Sequence, residues 1–469
     1  MLFFSFEYIF LFLPLVVIGY FWLCGRRLTL VAQGWLVAAS LFFYAWWEVR
    51  YLPVILASVA FNWGLAAAIL RADGARRRIL LGLGIGANIA FLGYFKYTDF
   101  LIREGNRLFG ADLPALGLVL PLAISFFTFQ QIAFLVDTHK GLVRERRFLD
   151  YCLFVTFFPQ LISGPIVHHG EMMPQFAARR NMVANYRNIA RGLFIFTLGL
   201  FKKVVIADTF AVWAINGFDQ AEQLGAAAAW VTSLSYSLQL YFDFSGYMDM
   251  ALGAALMFNI KLPINFFSPY KALSIQDFWR RWHVTLGRFL RDYLYLPLGG
   301  NRLSRRRTYA NLLVTFVLGG LWHGAGWTFI FWGVLHGAAA GVQRAWQGTG
   351  LKLPTWLAWL ITFQFVNLAW VFFRAETWDD ALKVLSGMAG MGTAGTEPAL
   401  ASIGADLWTV ALIALGLLVS VFAPNSHQLA DRFRPSLAGG LALGTALGAL
   451  AIYVVIDANR VTQFIYFGF

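Results

Sequence analysis

Apolar residues run along this chain in long blocks, not at the spacing of half-buried surface helices. The blocks fall near 7–23, 28–48, 51–70, 78–96, 113–138, 192–215, 225–258, 354–373, 405–423 and 436–456, and a glycine-interrupted stretch covers 308–346. Most match the roughly 20 residues that carry a helix across a hydrocarbon core. The pattern predicts an all-α polytopic membrane protein with about 10–12 membrane helices plus re-entrant and interfacial ones. It also predicts a single membrane-embedded domain over 1–469. The segment 148–166 breaks the rule: it is apolar, has basic residues on both sides, and holds Pro159 and Gly164-Pro165. It reads as re-entrant or interfacial, which is tolerated where backbone is buried in protein.

Composition agrees. Apolar residues make up 59% and charged ones 13%, against roughly a quarter charged in a soluble domain, and mean hydropathy is +0.63. A cytosolic or secreted enzyme does not fit. Met1-Leu-Phe-Phe-Ser lacks a basic leader and no small-residue cleavage site follows, so 7–23 reads as a retained helix. Cys24 and Cys152 are the only cysteines, too few for a disulfide framework or a zinc cluster.

The net charge of +13 suggests nucleic acid only until its placement is considered. The bases sit in short loops, where the positive-inside rule puts them. Arg26-Arg27, then Arg71 with Arg76–Arg78, then Lys140 with Arg144, Arg146 and Arg147 follow every second block, and the loops between are balanced. Residues 259–310 carry ten Lys/Arg against Asp277 and Asp292 and should face the cytoplasm. This puts the N-terminus on the periplasmic side of a cell membrane, 374–383 outside with Glu376, Asp379 and Asp380, 427–434 inside, and Phe469 outside.

Ionisable groups within apolar sequence are the candidates for chemistry, because burying them in a membrane is expensive. His323 lies in Gly319-Gly-Leu-Trp-His-Gly-Ala-Gly-Trp327. Thr308 to Trp322 would reach about 22 Å as a helix, so the imidazole should stop at a glycine-rich break inside the membrane. There it would line a passage open to both sides and could deprotonate an attacking hydroxyl. A core histidine bonded to a carbonyl is the alternative. His283 ends Ser274-Ile-Gln-Asp-Phe-Trp-Arg-Arg-Trp-His283. Capping-box spacing starts a helix at Ser274 and would put Trp279, Arg280 and His283 on one face. His283 could polarise a carbonyl or orient a partner histidine, or sit in an interfacial aromatic belt.

His336 reads as a helix-packing or cavity-lining residue, and His168-His169 as a poor metal pair because neighbours diverge on a helix. No metal site is expected. Asp243 and Asp249 within 225–258 need partners, sought among the arginines of 280–307, while Lys202-Lys203 would snorkel or bind a phosphate. Arg280, Arg281, Arg288 and Arg291 could meet the phosphates of a nucleotide-bearing donor, although topology alone also predicts them. No phosphate loop, nucleophile elbow or His-Glu-x-x-His helix occurs.

Taken together, several motifs resemble the membrane-bound O-acyltransferase family, in its alginate O-acetyltransferase branch. They are Pro121–Gln130, Phe158–Pro165, Gly199–Asp208, Tyr241–Tyr247, Leu262–Phe266, Ser274–His283, Arg291–Asn301 and Leu321–Gly324. The signature core spans approximately 113–346, and the sequence after 375 is generic. The resemblance implies a helical ring around a central funnel, with His323 as the presumed catalytic residue and His283 at the family's second polar site. It implies acetyl-coenzyme A as cytoplasmic donor, no other cofactor, and a periplasmic acetyltransferase or a polysaccharide as recipient. A carrier with a discontinuous helix at 308–346, or a scaffold for an acetylation complex, is the competing class. Release of acetyl from labelled acetyl-coenzyme A separates the enzyme from both.

Overall fold

A computed structural model describes residues 1–143, 147–392, 400–456 and 462–468. Arg144, Arg146, residues 393–399 and Phe469 lie outside the described residues. The chain is helical throughout what is described. A π-helical turn, Glu7–Phe12, leads into α1 (Leu13–Gly25), followed by α2 (Thr29–Ala45), α3 (Leu52–Arg71) and α4 (Gly74–Phe109). Then come α5 (Ile124–His139), the short α6 (Phe148–Thr156), α7 (Phe158–Leu161) and α8 (His169–Ala177), and α9 (Tyr186–Phe201). α9 continues through a π turn into α10 (Asp208–Ile215), and α11 (Ala226–Met257) follows. The short α12 (Ile275–Trp279) and α13 (Val284–Leu290) precede the hairpin of α14 (Arg305–His323) and α15 (Trp327–Gln347). The remainder is α16 (Thr355–Arg374), α17 (Trp378–Met388), α18 (Leu407–Phe422), α19 (Ser426–Arg432) and α20 (Leu437–Ile456).

Five of these helical segments are long and apolar enough to cross a membrane, and six if the pair α18 and α19, bent by 59°, counts as one. Among the other expected spans, some are helices covered by protein. α11 is the clearest: nearly every residue from Ala228 to Met257 is buried, so its serines, Gln239, Asp243 and Asp249 face partners and dilute its apolar signal. α11 is the post around which the site is built.

Glycines set how closely the helices approach. A Cβ on Gly199 would fall 2.5 Å from the Gly246 carbonyl oxygen, and one on Gly253 would fall 2.5 Å from that of Gly192. α9 and α11 therefore touch backbone to backbone at two points, as small residues permit in membrane bundles. The hairpin is drawn together likewise: a Cβ on Gly320 would lie 2.3 Å from Phe329 O, and one on Gly333 2.5 Å from Phe316 O.

Two segments differ from expectation. The block 113–138 is not one span. Residues 110–123 return along the C-terminal half of α4, where Asp99 accepts from Leu116 N at 2.7 Å and Leu118 N at 3.2 Å, and Asn106 bonds Leu113 in both directions. Left-handed Gly110 and Gly117, with Pro114 and Pro121, keep that stretch from being helical. α4 is longer than the apolar run 78–96, at 36 residues or about 54 Å. The segment 148–166 is broken at Phe157, as its proline and glycine require, and it is buried within the protein.

The buried carboxylates take partners other than the expected arginines. Lys203 Nζ lies 2.8 Å from both Asp208 and Asp243, and Lys202 Nζ lies 2.7 Å from Asp249. The π turn at Lys202–Ala207 and the glycine contact beside it deliver the ammonium groups to α11. Lys202-Lys203 are thus structural cations, not phosphate ligands.

Candidate active site

His323 is the last residue of α14, and Gly324 ends the helix in extended backbone. The break falls where the glycine pattern put it. The imidazole is 2% exposed and is walled by Trp322 (4.9 Å between ring centroids), Phe373 (5.1 Å), Trp332 (5.2 Å) and Tyr466 (5.8 Å). The His283 ring lies 6.5 Å away.

His283 arrives by a different local structure from the one its spacing suggests. Ser274 does cap α12, its hydroxyl accepting from Asp277 N at 3.1 Å, but Asp277 turns to Leu273 N and the helix ends at Trp279. His283 adopts φ 44°, ψ 50° and precedes α13. The shared face with Trp279 and Arg280 therefore does not form. The left-handed backbone of a bulky residue is costly. The surrounding contacts hold it: Asn265 Oδ1 accepts from Thr285 N (3.1 Å) and Thr285 Oγ1 (2.9 Å) and faces His283 Nδ1 at 3.1 Å. An amide oxygen can only accept, so Nδ1 carries the hydrogen and Nε2 keeps its lone pair. That Nε2 is buried and has no hydrogen-bond partner among the described residues.

His336 Nδ1 accepts from Trp279 Nε1 at 3.2 Å within an aromatic cluster, a packing role. His168 meets Tyr293 and His169 meets Asp137, and the Tyr293 hydroxyl donates to Asp137 at 2.7 Å, so the two imidazoles end on one network rather than diverging.

A cavity of about 600 Å³ opens on the arginine-rich face. Arg280, Arg288, Arg291 and Arg344 line it together with the apolar Trp279 and Phe316. The Arg280 guanidinium has no ion pair or hydrogen bond among the described residues, whereas Arg288 grips Glu171 and Arg291 pairs with Asp292 at 2.7 Å. Arg281 is not part of this wall: it pairs with Asp277 at 2.8 Å and reaches Phe267 O. Two ring contacts lead from the cavity inward, Trp279 to Trp332 at 5.9 Å and Trp332 to His323 at 5.2 Å.

The passage expected to open on both sides is closed in this structure. Residues 462–468 run back into the protein, with Ile465 N donating to Asp243 Oδ2 at 2.8 Å and Ser163 Oγ to Tyr466 O at 3.3 Å. Phe464 stacks on Tyr247 at 4.0 Å, and Tyr466 sits against both imidazoles, at 5.8 Å and 6.4 Å. Sequence reasoning gave this tail no role. Its only signal was an aromatic run, Phe464-Ile-Tyr-Phe-Gly-Phe469, where a polar terminus is usual. Asn265 was also missed as a functional residue, though it lies in the quoted Leu262–Phe266 motif.

The family model of the membrane-bound O-acyltransferases matches residues 142–376. Among curated proteins, the chain is 56% identical to a peptidoglycan O-acetyltransferase of Helicobacter pylori, over 82% of this chain and 79% of that one. It is 40% identical to a probable alginate O-acetylase of Pseudomonas aeruginosa, covering 84% and 76%. It is 28% identical to a teichoic acid D-alanyltransferase of Bacillus subtilis, covering 56% and 71%.

Proposed function

Because this chain belongs to the membrane-bound O-acyltransferase family, we propose that it draws acetyl groups from acetyl-coenzyme A on the cytoplasmic face and passes them across the inner membrane to O-acetylate a cell-envelope polysaccharide. The observation that carries this reading is the buried imidazole pair, 6.5 Å apart, two ring contacts from an arginine-lined cavity. The arginines suit the donor's phosphates, and the aromatic wall suits its apolar arm. His323 takes the proton of an attacking hydroxyl as its oxygen bonds the thioester carbonyl carbon. The C–S bond breaks, and the same proton leaves on the coenzyme A thiolate. His283, held by Asn265, presents Nε2 to this chemistry.

The 56% identity to a peptidoglycan enzyme favours peptidoglycan over alginate as the final acceptor. The basic stretch 259–310 supports the orientation, with the N-terminus periplasmic. The buried tail favours transfer in two steps. Tyr466 is the one tyrosine ring near both imidazoles among the described residues, so its phenol can take the acetyl group first. It then hands the group to the glycan or to a periplasmic acetyltransferase.

The test uses labelled acetyl-coenzyme A with the purified protein in lipid, and base-labile acetate on isolated peptidoglycan from the host. His323→Ala should lose transfer by about 10³-fold while accumulating normally. Full activity in that variant refutes the reading. Label retained on wild-type protein but not on Tyr466→Phe supports the relay, and equal labelling and turnover in both leaves direct transfer.

A further inference from the structure

The C-terminal end of α14 carries the catalytic candidate, and such an end exposes carbonyl groups that no helical N–H satisfies. In water those oxygens would be solvated. Here they lie within the membrane protein, beside His323. One side chain reaches them. Lys96, on α4, extends Nζ to within 2.5 Å of Trp322 O and 3.2 Å of His323 O, with Ser125 Oγ at 3.4 Å. The adjoining Tyr97 donates its hydroxyl to Leu321 O at 2.8 Å. Three successive carbonyls at the helix end are thus held by two consecutive residues of another helix.

An ammonium group placed this deep is expensive, and an opposite charge would be its ordinary partner. Among the described residues no carboxylate pairs with Lys96. Its compensation is the negative end of the α14 dipole, together with the face of the Trp322 ring, whose centroid is 5.8 Å from Nζ. The two peptide oxygens it binds belong to the residues whose side chains matter: Trp322 walls His323, and His323 is the base. Fixing those peptide planes fixes where the imidazole points. α4 otherwise buries little along its length, only Gly84, Asn88 and Leu92, so this contact is its most specific engagement with the site.

We propose that Lys96, seconded by Tyr97, is a positioning residue that sets the orientation of His323 by clamping the end of α14. The inference rests on the acetyl-transfer reading above. It requires no contact between Lys96 and the substrate, so it predicts an effect on turnover and none on donor binding.

The experiment measures kcat and KM for acetyl-coenzyme A in lipid-reconstituted protein, with wild type and His323→Ala alongside. Lys96→Met should lower kcat by about 10²-fold, the scale of a roughly 1 Å misplacement, with KM unchanged. Lys96→Arg, which keeps donors and charge, should recover most of that loss. Tyr97→Phe, a lighter change that keeps the fold if Lys96→Met does not, should lower kcat several-fold at constant KM. Unchanged kcat in Lys96→Met, or in Tyr97→Phe where the former fails to accumulate, overturns the inference, as does a change confined to KM. An inactive wild type would instead sink the acetyl-transfer reading itself.

Discussion

The molecule buries ionisable groups in two places, and they are built on opposite principles. Between α9 and α11, charge meets charge: Lys203 sits between Asp208 and Asp243, and Lys202 reaches Asp249, which also takes the Ser426 hydroxyl at 2.5 Å. Around His323, two imidazoles and one ammonium are surrounded by indoles, phenyl rings and backbone oxygens, and His283 Nε2 is left open. The first cluster satisfies its charges internally and has nothing to offer a ligand. The second holds its imidazoles among aromatic rings, two ring contacts from the arginine-lined cavity.

Four substitutions would break or sharpen that contrast. Lys203→Met has the largest expected effect, because it leaves two carboxylates buried without a cation. Breaking such a pair costs about 3–5 kcal/mol, and the protein should disappear from membranes, read by immunoblot and by thermal aggregation in detergent. Normal abundance would mean that the ion cluster is not structural. His283→Asn should do the reverse: Asn tolerates the left-handed backbone, so thermal stability should hold while acetyl transfer falls by about 10²-fold. A loss of stability matching the loss of activity would erase the distinction. The smallest effect belongs to the cavity wall. Arg280→Ala should raise KM for acetyl-coenzyme A several-fold with kcat preserved, and Arg281→Ala, paired away with Asp277, should change neither. Equal effects of the two would show that the cavity is not the donor site.

Much of this was readable from the chain alone, for identifiable reasons. The helical, membrane-embedded character follows from apolar block length, and the glycine-flanked break at His323 and the packing role of His336 follow from local pattern. The arginines of the cavity were legible as a set, but which of them faces it was not. That depends on α12 ending after Trp279, a matter of five residues. The same early ending moved His283 off the predicted face. The partners of Asp243 and Asp249 were misjudged because Lys202 and Lys203 reach α11 only through a π turn and two glycine contacts. Neither leaves a periodic trace in the sequence. Lys96 gave no signal in the sequence, since its partners are main-chain oxygens more than two hundred residues away. The tail at 462–468 gave the weakest signal of all and closes the site.

The glycine contacts between α9 and α11 have a mechanical consequence. Two helices that touch main chain to main chain at both Gly192–Gly253 and Gly199–Gly246 cannot slide, since any shift in register drives side chains into carbonyls. With the ion cluster bolting the same seam, this wall is a stator. On the acetyl-transfer proposal, an acceptor would reach the imidazoles by release of the Phe464–Tyr466 segment from its contacts with Asp243 and Tyr247 on α11, or by a tilt of the α14–α15 hairpin.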